Sequence, residues 1–136
     1  MTPDQAFAAI ALATIACDGS IDRREAAALR DQLGRRTPFR DLSDDVMGSL
    51  FELLLAQIRD QGWERLIKES VEQLNLAQQE TALAMAAQLV HCDGVVDPAE
   101  EAMLRRMASQ LKLPEGRAAQ IIDVIDVLHR DSLASE

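Results

Sequence analysis

The order of apolar and polar residues divides this chain into seven segments with helical periodicity. Apolar residues recur three or four positions apart within each segment, and glycine, proline or capping residues separate one segment from the next. The predicted helices cover residues 4–17, 22–34, 43–62, 63–74, 77–92, 97–111 and 115–129. We therefore expect an all-α fold, formed as one compact domain of seven helices.

The first and fifth predicted helices are apolar around almost their whole circumference. A helix without a polar face is expected in the centre of a domain, so these two should be buried and paired. The other helices have one apolar face. In the third, that face is predicted to contain Val46, Leu50, Leu53, Leu54 and Ile58. In the seventh, the apolar positions are Ile121, Ile122, Val124, Ile125 and Leu128.

A nine-residue stretch at the end of the first helix returns at the end of the fifth. Residues 17–25 read CDGSIDRRE and residues 92–100 read CDGVVDPAE; over residues 17–30 and 92–105, 8 of 14 positions are identical. We call these stretches the first and second Asp-Gly junctions. They predict an internal pseudo-twofold repeat within a domain spanning residues 1–136. Repeat one is residues 4–62, repeat two is residues 77–130, and the helix at 63–74 connects them.

Each junction also predicts the start of a helix. Asp22 and Asp97 are residues of the N-cap type, and Glu25 and Glu100 stand three positions later, which is the spacing of a capping box. Gly19 is expected to stop the first helix because glycine readily adopts a positive φ.

Composition and charge narrow the list of partners. Hydrophobic residues make up 48% of the chain and aromatic residues only 3%, so alanine and leucine must fill the core. The formal net charge of −9 disfavours nucleic acid and anionic membrane surfaces, and favours cations and basic protein surfaces. Two cysteines do not form a disulfide framework, and buried thiols are expected at Cys17 and Cys92.

The N-terminal segment superficially resembles a lipoprotein signal ending at Cys17. Its first five residues contain no positive charge, and the same Cys-Asp-Gly sequence recurs in mid-chain, so we reject this interpretation. No apolar run is long enough to span a bilayer. A cytoplasmic protein without direct membrane insertion is expected.

The acidic residues of the two junctions are the candidate metal ligands. Their Asp-Gly-x-[Ile/Val]-x-x-x-Glu pattern matches the second half of an EF-hand loop, but Thr14 and Leu89 occupy the first ligand position, which excludes a true EF-hand. Three carboxylates per loop would hold a divalent cation such as calcium, magnesium or manganese weakly. The candidate ligands are Asp18, Asp22, Glu25, Asp93, Asp97 and Glu100.

An alternative interpretation gives these residues a structural role only. Capping accounts for four of them; Asp18 and Asp93 would then accept hydrogen bonds from N–H groups of their own loops. Sequence alone leaves both interpretations open.

The remaining polar residues indicate no reaction. The chain lacks a nucleophile elbow and a phosphate-binding glycine loop, so we do not expect an enzyme. His91 and Cys92 are adjacent but point in different directions on a helix, and too few ligands accompany them for a zinc site. Asp126 and His129 are expected to form a surface pair, and Trp63 to anchor the fourth helix.

The doubled junction resembles the TerB family. The resemblance rests on an alanine-rich helix, the Asp-Gly-x-[Ile/Val]-x-x-x-Glu pattern and an amphipathic helix, all repeated within one helical chain; residues 11–33 and 84–111 match best. TerB-like domains are associated with tellurite resistance and also occur in membrane-anchored DnaJ-type co-chaperones. The resemblance implies a seven-helix fold in a cytoplasmic bacterial protein. It also implies metal sensing or binding at the six junction carboxylates, and association with membrane-linked stress complexes.

Two functions follow from these observations. The first is a non-enzymatic module of a stress-response or tellurite-resistance system that binds divalent cations weakly through its junctions. The alternative is a protein-interaction scaffold whose acidic junctions are helix caps only. A protein partner is expected in both cases, and the sequence does not specify the oligomeric state.

Overall fold

The computed structural model describes residues 1–92 and 96–134, which contain seven α-helices, one short 3₁₀ turn and no strand. The helices are α1 (Pro3–Ala13), α2 (Arg23–Gly34), α3 (Asp44–Gln61), α4 (Trp63–Glu72), α5 (Leu76–Val90), α6 (Pro98–Ala108) and α7 (Arg117–Leu128). The prediction of an all-α chain with seven helices is confirmed. Within the described residues, no helix combines the length and apolarity required to cross a bilayer.

The predicted end of the first helix at Cys17 is wrong by one turn, because α1 ends at Ala13. Beyond it the chain tightens: the carbonyl oxygen of Leu12 accepts from the N–H groups of Ile15 and Ala16, both at 3.1 Å. Gly19 has the predicted positive φ, +85°, but it does not stop the helix, which has already ended at Ala13.

Side-chain caps fix the starts of several helices. The Ser43 hydroxyl accepts from the N–H of Val46 at 3.2 Å at the start of α3, and Pro98 occupies the first position of α6, both as predicted. Complete capping boxes are also present at α1, from Thr2 and Gln5, and at α5, from Asn75 and Gln78.

Helix α1 lies at the centre of the domain. All residues from Ala8 to Ala13 have no exposed surface, and they divide between two buried clusters of side chains. The first cluster combines α1 with α4, α5, α6 and α7, and the second combines it with α2, α3, α4 and α5. This position agrees with the apolar circumference of the helix, and α5 contributes to both clusters in the same way.

Helices α1 and α5 run in the same general direction. Asp4 in the first turn of α1 and Gln78 in the first turn of α5 line the same surface hollow. Asp22, after the end of α1, and Cys92, after the end of α5, line a different cleft. The described residues of the two junctions therefore lie side by side at one end of the helix pair, a question that the sequence left open.

The helical spacing assigned some apolar residues to the wrong face. Val46 and Leu53 of α3 are 51% and 44% exposed, and Val124 and Leu128 of α7 are both 65% exposed. Both helices carry apolar residues on more than one face, and only one face packs inward. In α3, the inward face comprises Met47, Phe51, Leu54, Leu55 and Ile58.

The predicted loop at residues 36–42 contains a short helical element. Phe39 begins a 3₁₀ turn, Phe39–Asp41, and its side chain is buried in the cluster around α2 and α3. Its ring lies 6.1 Å from that of Phe7, measured between centroids. The segment thus adds an aromatic core residue that helical periodicity did not reveal.

Candidate cation site

Glu25 of α2 and Glu100 of α6 share one surface cleft of about 270 Å³. They occupy equivalent positions in the two junctions, and the packing of α2 and α6 beside the end of α5 brings them together. The residues that line the cleft are Asp22, Arg24, Glu25, Val90, Cys92, Asp97 and Glu100. Four of the six predicted ligands therefore lie around one space, accompanied by one basic side chain.

The electrostatic environment of Glu25 differs from that of an ordinary surface glutamate. Burial of its carboxyl group, a hydrogen bond with Glu100, and the negative charges of Glu100 and Asp22 together raise the pKa of Glu25 to about 7. Burial is the largest of these causes. Two carboxyl groups at hydrogen-bond distance must share a proton or a cation, since two bare carboxylates repel each other.

Asp22 and Asp97 have the capping role that the sequence predicted. Asp22 Oδ1 accepts from the N–H of Glu25 at 2.7 Å, and Asp97 Oδ1 accepts from the N–H of Ala99 at 2.8 Å. The predicted capping boxes are incomplete. The second cap is made to Ala99 rather than to Glu100.

In the first junction, the backbone N–H of Asp22 opposes the rise in the pKa of Glu25, and it is the weakest of the causes that act on this pKa. The Glu25 carboxyl is thus directed to Glu100 across the cleft instead of closing a box within its own helix.

Asp18 does not line the cleft. Its Oδ1 accepts from the N–H and the hydroxyl of Ser20, both at 3.0 Å, and these bonds lower the pKa of Asp18. The alternative prediction, that this aspartate binds its own loop, is confirmed for the first junction. The equivalent residue, Asp93, lies outside the described residues.

The prediction of buried thiols is wrong. Cys17 and Cys92 are both exposed, and Cys92 lines the cleft. Both cysteines lie beyond the ends of the central helices, which end at Ala13 and Val90, and both are at the surface where the chain turns. The apolar character of the helices does not extend to these positions.

The cleft offers few ligands for a metal ion. In residues 1–92 and 96–134, no three or more histidine, cysteine, aspartate or glutamate side chains converge to form a ready metal site. The capping oxygens of Asp22 and Asp97 are committed to backbone N–H groups, which leaves the Glu25 and Glu100 carboxyls as the principal acceptors. Oxygen ligands of this kind suit a hard divalent cation, bound weakly and with water completing its coordination.

A second polar cluster, near the C-terminal end of α5, was not predicted. The rings of His91 and His129 stack with centroids 4.4 Å apart and planes 3° from parallel. His91 Nε2 lies 3.0 Å from Asp126 Oδ1, and His129 Nε2 contacts Gln88 Oε1. The predicted surface pair of Asp126 with His129 is therefore replaced by a pair of Asp126 with His91, which fastens α7 to the end of α5.

Comparison with known proteins agrees with this architecture. A family model described as tellurite resistance protein TerB matches residues 4–123 of the 136-residue chain. No curated protein and no solved structure matches the chain significantly. The matched region begins at the second residue of α1, includes α2 to α6 and both junctions, and ends within α7.

Proposed function

This chain belongs to the TerB family of tellurite resistance proteins, and we propose that it is a non-enzymatic module that binds a divalent cation weakly between its two Asp-Gly junctions. The observation that carries the proposal is the meeting of Glu25 and Glu100, one from each junction, in a half-buried cleft. The family relates the chain to tellurite resistance. The cation site and its use in a stress response are our inference.

A cation would replace the proton between the two glutamates. Their mutual repulsion and burial favour a proton near neutral pH, and a divalent ion would relieve the same repulsion with a stronger charge. Calcium, magnesium and manganese all prefer carboxylate and water oxygens, so each is a candidate. Because capping bonds engage the Asp22 and Asp97 oxygens, we expect weak binding, with a dissociation constant on the order of 10⁻⁴–10⁻³ M.

Backbone NMR of the whole chain, titrated with calcium, magnesium or manganese chloride at pH 7, tests this proposal. We expect shifts, or broadening with manganese, centred on Glu25 and Glu100. Because Glu25 holds a proton at pH 6, calcium should also release protons into a weakly buffered solution at that pH.

The decisive comparison uses two double variants that remove the same formal charge. Glu25→Gln with Glu100→Gln should abolish the localised response. Glu52→Gln with Asp60→Asn removes two exposed carboxylates of α3 and should leave it unchanged. Equal responses in the two variants would show that the cation binds only to diffuse surface charge, and the proposed site would be wrong.

The commitment of Asp22 and Asp97 to capping bonds favours a second candidate function. In it the junctions are structural and the chain is a protein-interaction scaffold, with a partner in a cytoplasmic or membrane-associated stress complex. This alternative predicts no localised NMR response to any of the three metals. It also predicts that Glu25→Gln with Glu100→Gln leaves partner binding intact.

A further inference from the structure

Helix α7 presents an apolar strip to solvent. Val124, Val127 and Leu128 are 65%, 53% and 65% exposed, whereas Ile122 on the opposite side is buried against the core. The three exposed residues are spaced three and four positions apart, so they form one continuous patch on the helix surface. An apolar patch of this kind on a surface helix marks a contact site.

The strip lies between two residues of opposite charge, Arg117 at the start of α7 and Asp131 just beyond its end. Arg117 and Asp131 each lie seven positions from Val124, and seven residues are nearly two full helical turns. The turn continues beyond the last helical residue, because the N–H of His129 donates to Ile125 at 3.1 Å and that of Arg130 donates to Val127 at 3.2 Å. Asp131 lies just beyond this turn, and its Oδ1 accepts a hydrogen bond from the N–H of Leu133 at 2.9 Å.

This arrangement is complementary to itself. When two identical helices pack antiparallel about a twofold axis, a residue at a given distance before the axis meets the residue at that distance after it. With the axis at Val124, Arg117 meets Asp131 of the partner subunit, and Ile121 meets Val127 of the partner subunit. We propose that α7 binds α7 of a second copy of this chain in this way, forming a twofold-symmetric dimer.

The charges around the strip favour a second copy of this chain as its binding partner. The net charge of −9 makes most pairs of surfaces on two copies repel each other. On α7 and just beyond it, Arg117 and Arg130 accompany the aspartates. Asp123 and Asp126 lie 3.3 and 3.8 Å from Arg105 of α6.

The other exposed apolar strip, on α3, contrasts with α7. There the exposed Val46 and Leu53 have three carboxylates as neighbours, from Asp45, Glu52 and Asp60. Within the described part of the chain, none of these three carboxylates forms an ion pair. Two copies meeting through that strip would bring like charges together, so α3 is unsuited to self-association.

The dimer is expected to be weak. One helix per subunit gives an interface at the small end of the specific range, and the ion pairs at its rim contribute little affinity. Arg117 also donates a hydrogen bond from Nε to Glu80 of α5 within its own subunit, so only the rest of its guanidinium is available to a second copy. Association should therefore appear between micromolar and millimolar chain concentration.

Crosslinking tests the position of the axis. In a chain with Cys17→Ser and Cys92→Ser, the substitution Val124→Cys places two thiols next to the axis, and a short bismaleimide should join them efficiently. Leu53→Cys, at an exposed site on α3, is the control and should remain uncrosslinked. Crosslinking at Leu53→Cys equal to that at Val124→Cys would overturn the proposal.

Analytical ultracentrifugation tests the pairing. Val124→Asp should give a monomer, without loss of fold, because the side chain is exposed. Asp131→Arg should weaken the dimer, because the new arginine of one subunit would lie opposite Arg117 of the other. Exchange of both charges, Arg117→Glu with Asp131→Arg, should restore the dimer. A wild-type chain that stays monomeric at millimolar concentration overturns the proposal, as does a dimer that survives Val124→Asp. A monomeric wild type that binds another protein through α7 would assign the strip to a different partner.

Discussion

Arg59 of α3 donates a hydrogen bond from Nη1 to the carbonyl oxygen of Gly19, at 2.7 Å, and its aliphatic stem covers the glycine. A Cβ atom at Gly19 would lie 2.2 Å from Arg59 Cγ, and the backbone has φ of +85°. The first junction is therefore held against α3 by a contact that only glycine permits. This contact fixes the loop in which Asp18 binds Ser20.

Gly19→Ala should lower the free energy of unfolding by about 2–3 kcal/mol. Roughly half comes from placing an alanine at positive φ, and the rest from displacing Arg59 and losing its hydrogen bond. Urea unfolding followed by circular dichroism measures the change.

Two other glycines are controls for this substitution. Gly116 has φ of +82° and no atom within 4 Å of the added Cβ, so Gly116→Ala should cost only the conformational part, about 1–2 kcal/mol. Gly48 lies within α3 in open space, and Gly48→Ala should raise stability by about 1 kcal/mol. If Gly19→Ala costs no more than Gly116→Ala, the contact with Arg59 contributes nothing.

The helices and several of their caps could be predicted because they depend on neighbours in sequence. Helical periodicity, Ser43 before α3 and Pro98 at the start of α6 act within a few residues, and the structure confirms them. Exposed and buried faces were harder to assign. Val46 and Met47 are adjacent, yet the packing of α3 against its neighbours buries only Met47.

The candidate site depends on contacts between residues far apart in the chain. The repeat showed that Glu25 and Glu100 are equivalent, but only the common direction of α1 and α5 places them in one cleft. His91 and His129 illustrate the same limit. Neither stands in a recognisable motif, and the docking of α7 beside α5 creates their stack. A repeated sequence motif indicates which residues correspond, whereas tertiary packing determines whether they lie close together.

Thr14 gives a second prediction. Its side chain is buried, and its hydroxyl has no hydrogen-bond partner in the described residues. Thr14→Val keeps the shape and removes the unpaired hydroxyl, so it should raise the free energy of unfolding by about 1 kcal/mol.

Thr14→Ser is the matched control for that gain. It retains the hydroxyl and deletes a buried methyl group, and should lower stability by about 1 kcal/mol in the same urea titration. A stability loss in Thr14→Val would mean that the hydroxyl makes a hydrogen bond in solution.

The histidine stack predicts a pH dependence at the C-terminal helix. Burial, followed by the charge of His91, lowers the pKa of His129, while Asp126 opposes this shift. A base with a lowered pKa binds fewer protons in the folded state than in the unfolded state. Its contribution to stability is therefore present above pH 6.5, the ordinary histidine value, and is lost as the pH falls through the folded pKa.

Hydrogen exchange of α7, compared between pH 7.5 and pH 5, should show weaker protection at the lower pH relative to α4, which has no histidine. His91→Gln removes the second charge, so NMR titration should show the pKa of His129 moving part of the way toward its ordinary value. An unchanged pKa in this variant would assign the whole shift to burial.

Glu25 predicts a pH dependence of the opposite sign. Its pKa rises from 4.5 to about 7 on folding, so between these values the folded chain holds a proton that the unfolded chain has released. Stability from this group is complete below pH 4.5, falls as the pH rises, and is lost above about pH 7. The group is partly exposed to solvent, so we discount the full shift and expect about 1–2 kcal/mol.

Glu25→Gln removes this titration. In metal-free buffer with EDTA, the variant should gain about 1–2 kcal/mol over wild type at pH 8 and be nearly equal to it at pH 4, where wild-type Glu25 is neutral in both states. Glu52→Gln, at an exposed site on α3, should show no such difference between the two pH values. If the free energy of unfolding differs between wild type and Glu25→Gln by the same amount at pH 4 and pH 8, Glu25 and Glu100 do not share a proton. The replacement of that proton by a cation would then lose its physical basis.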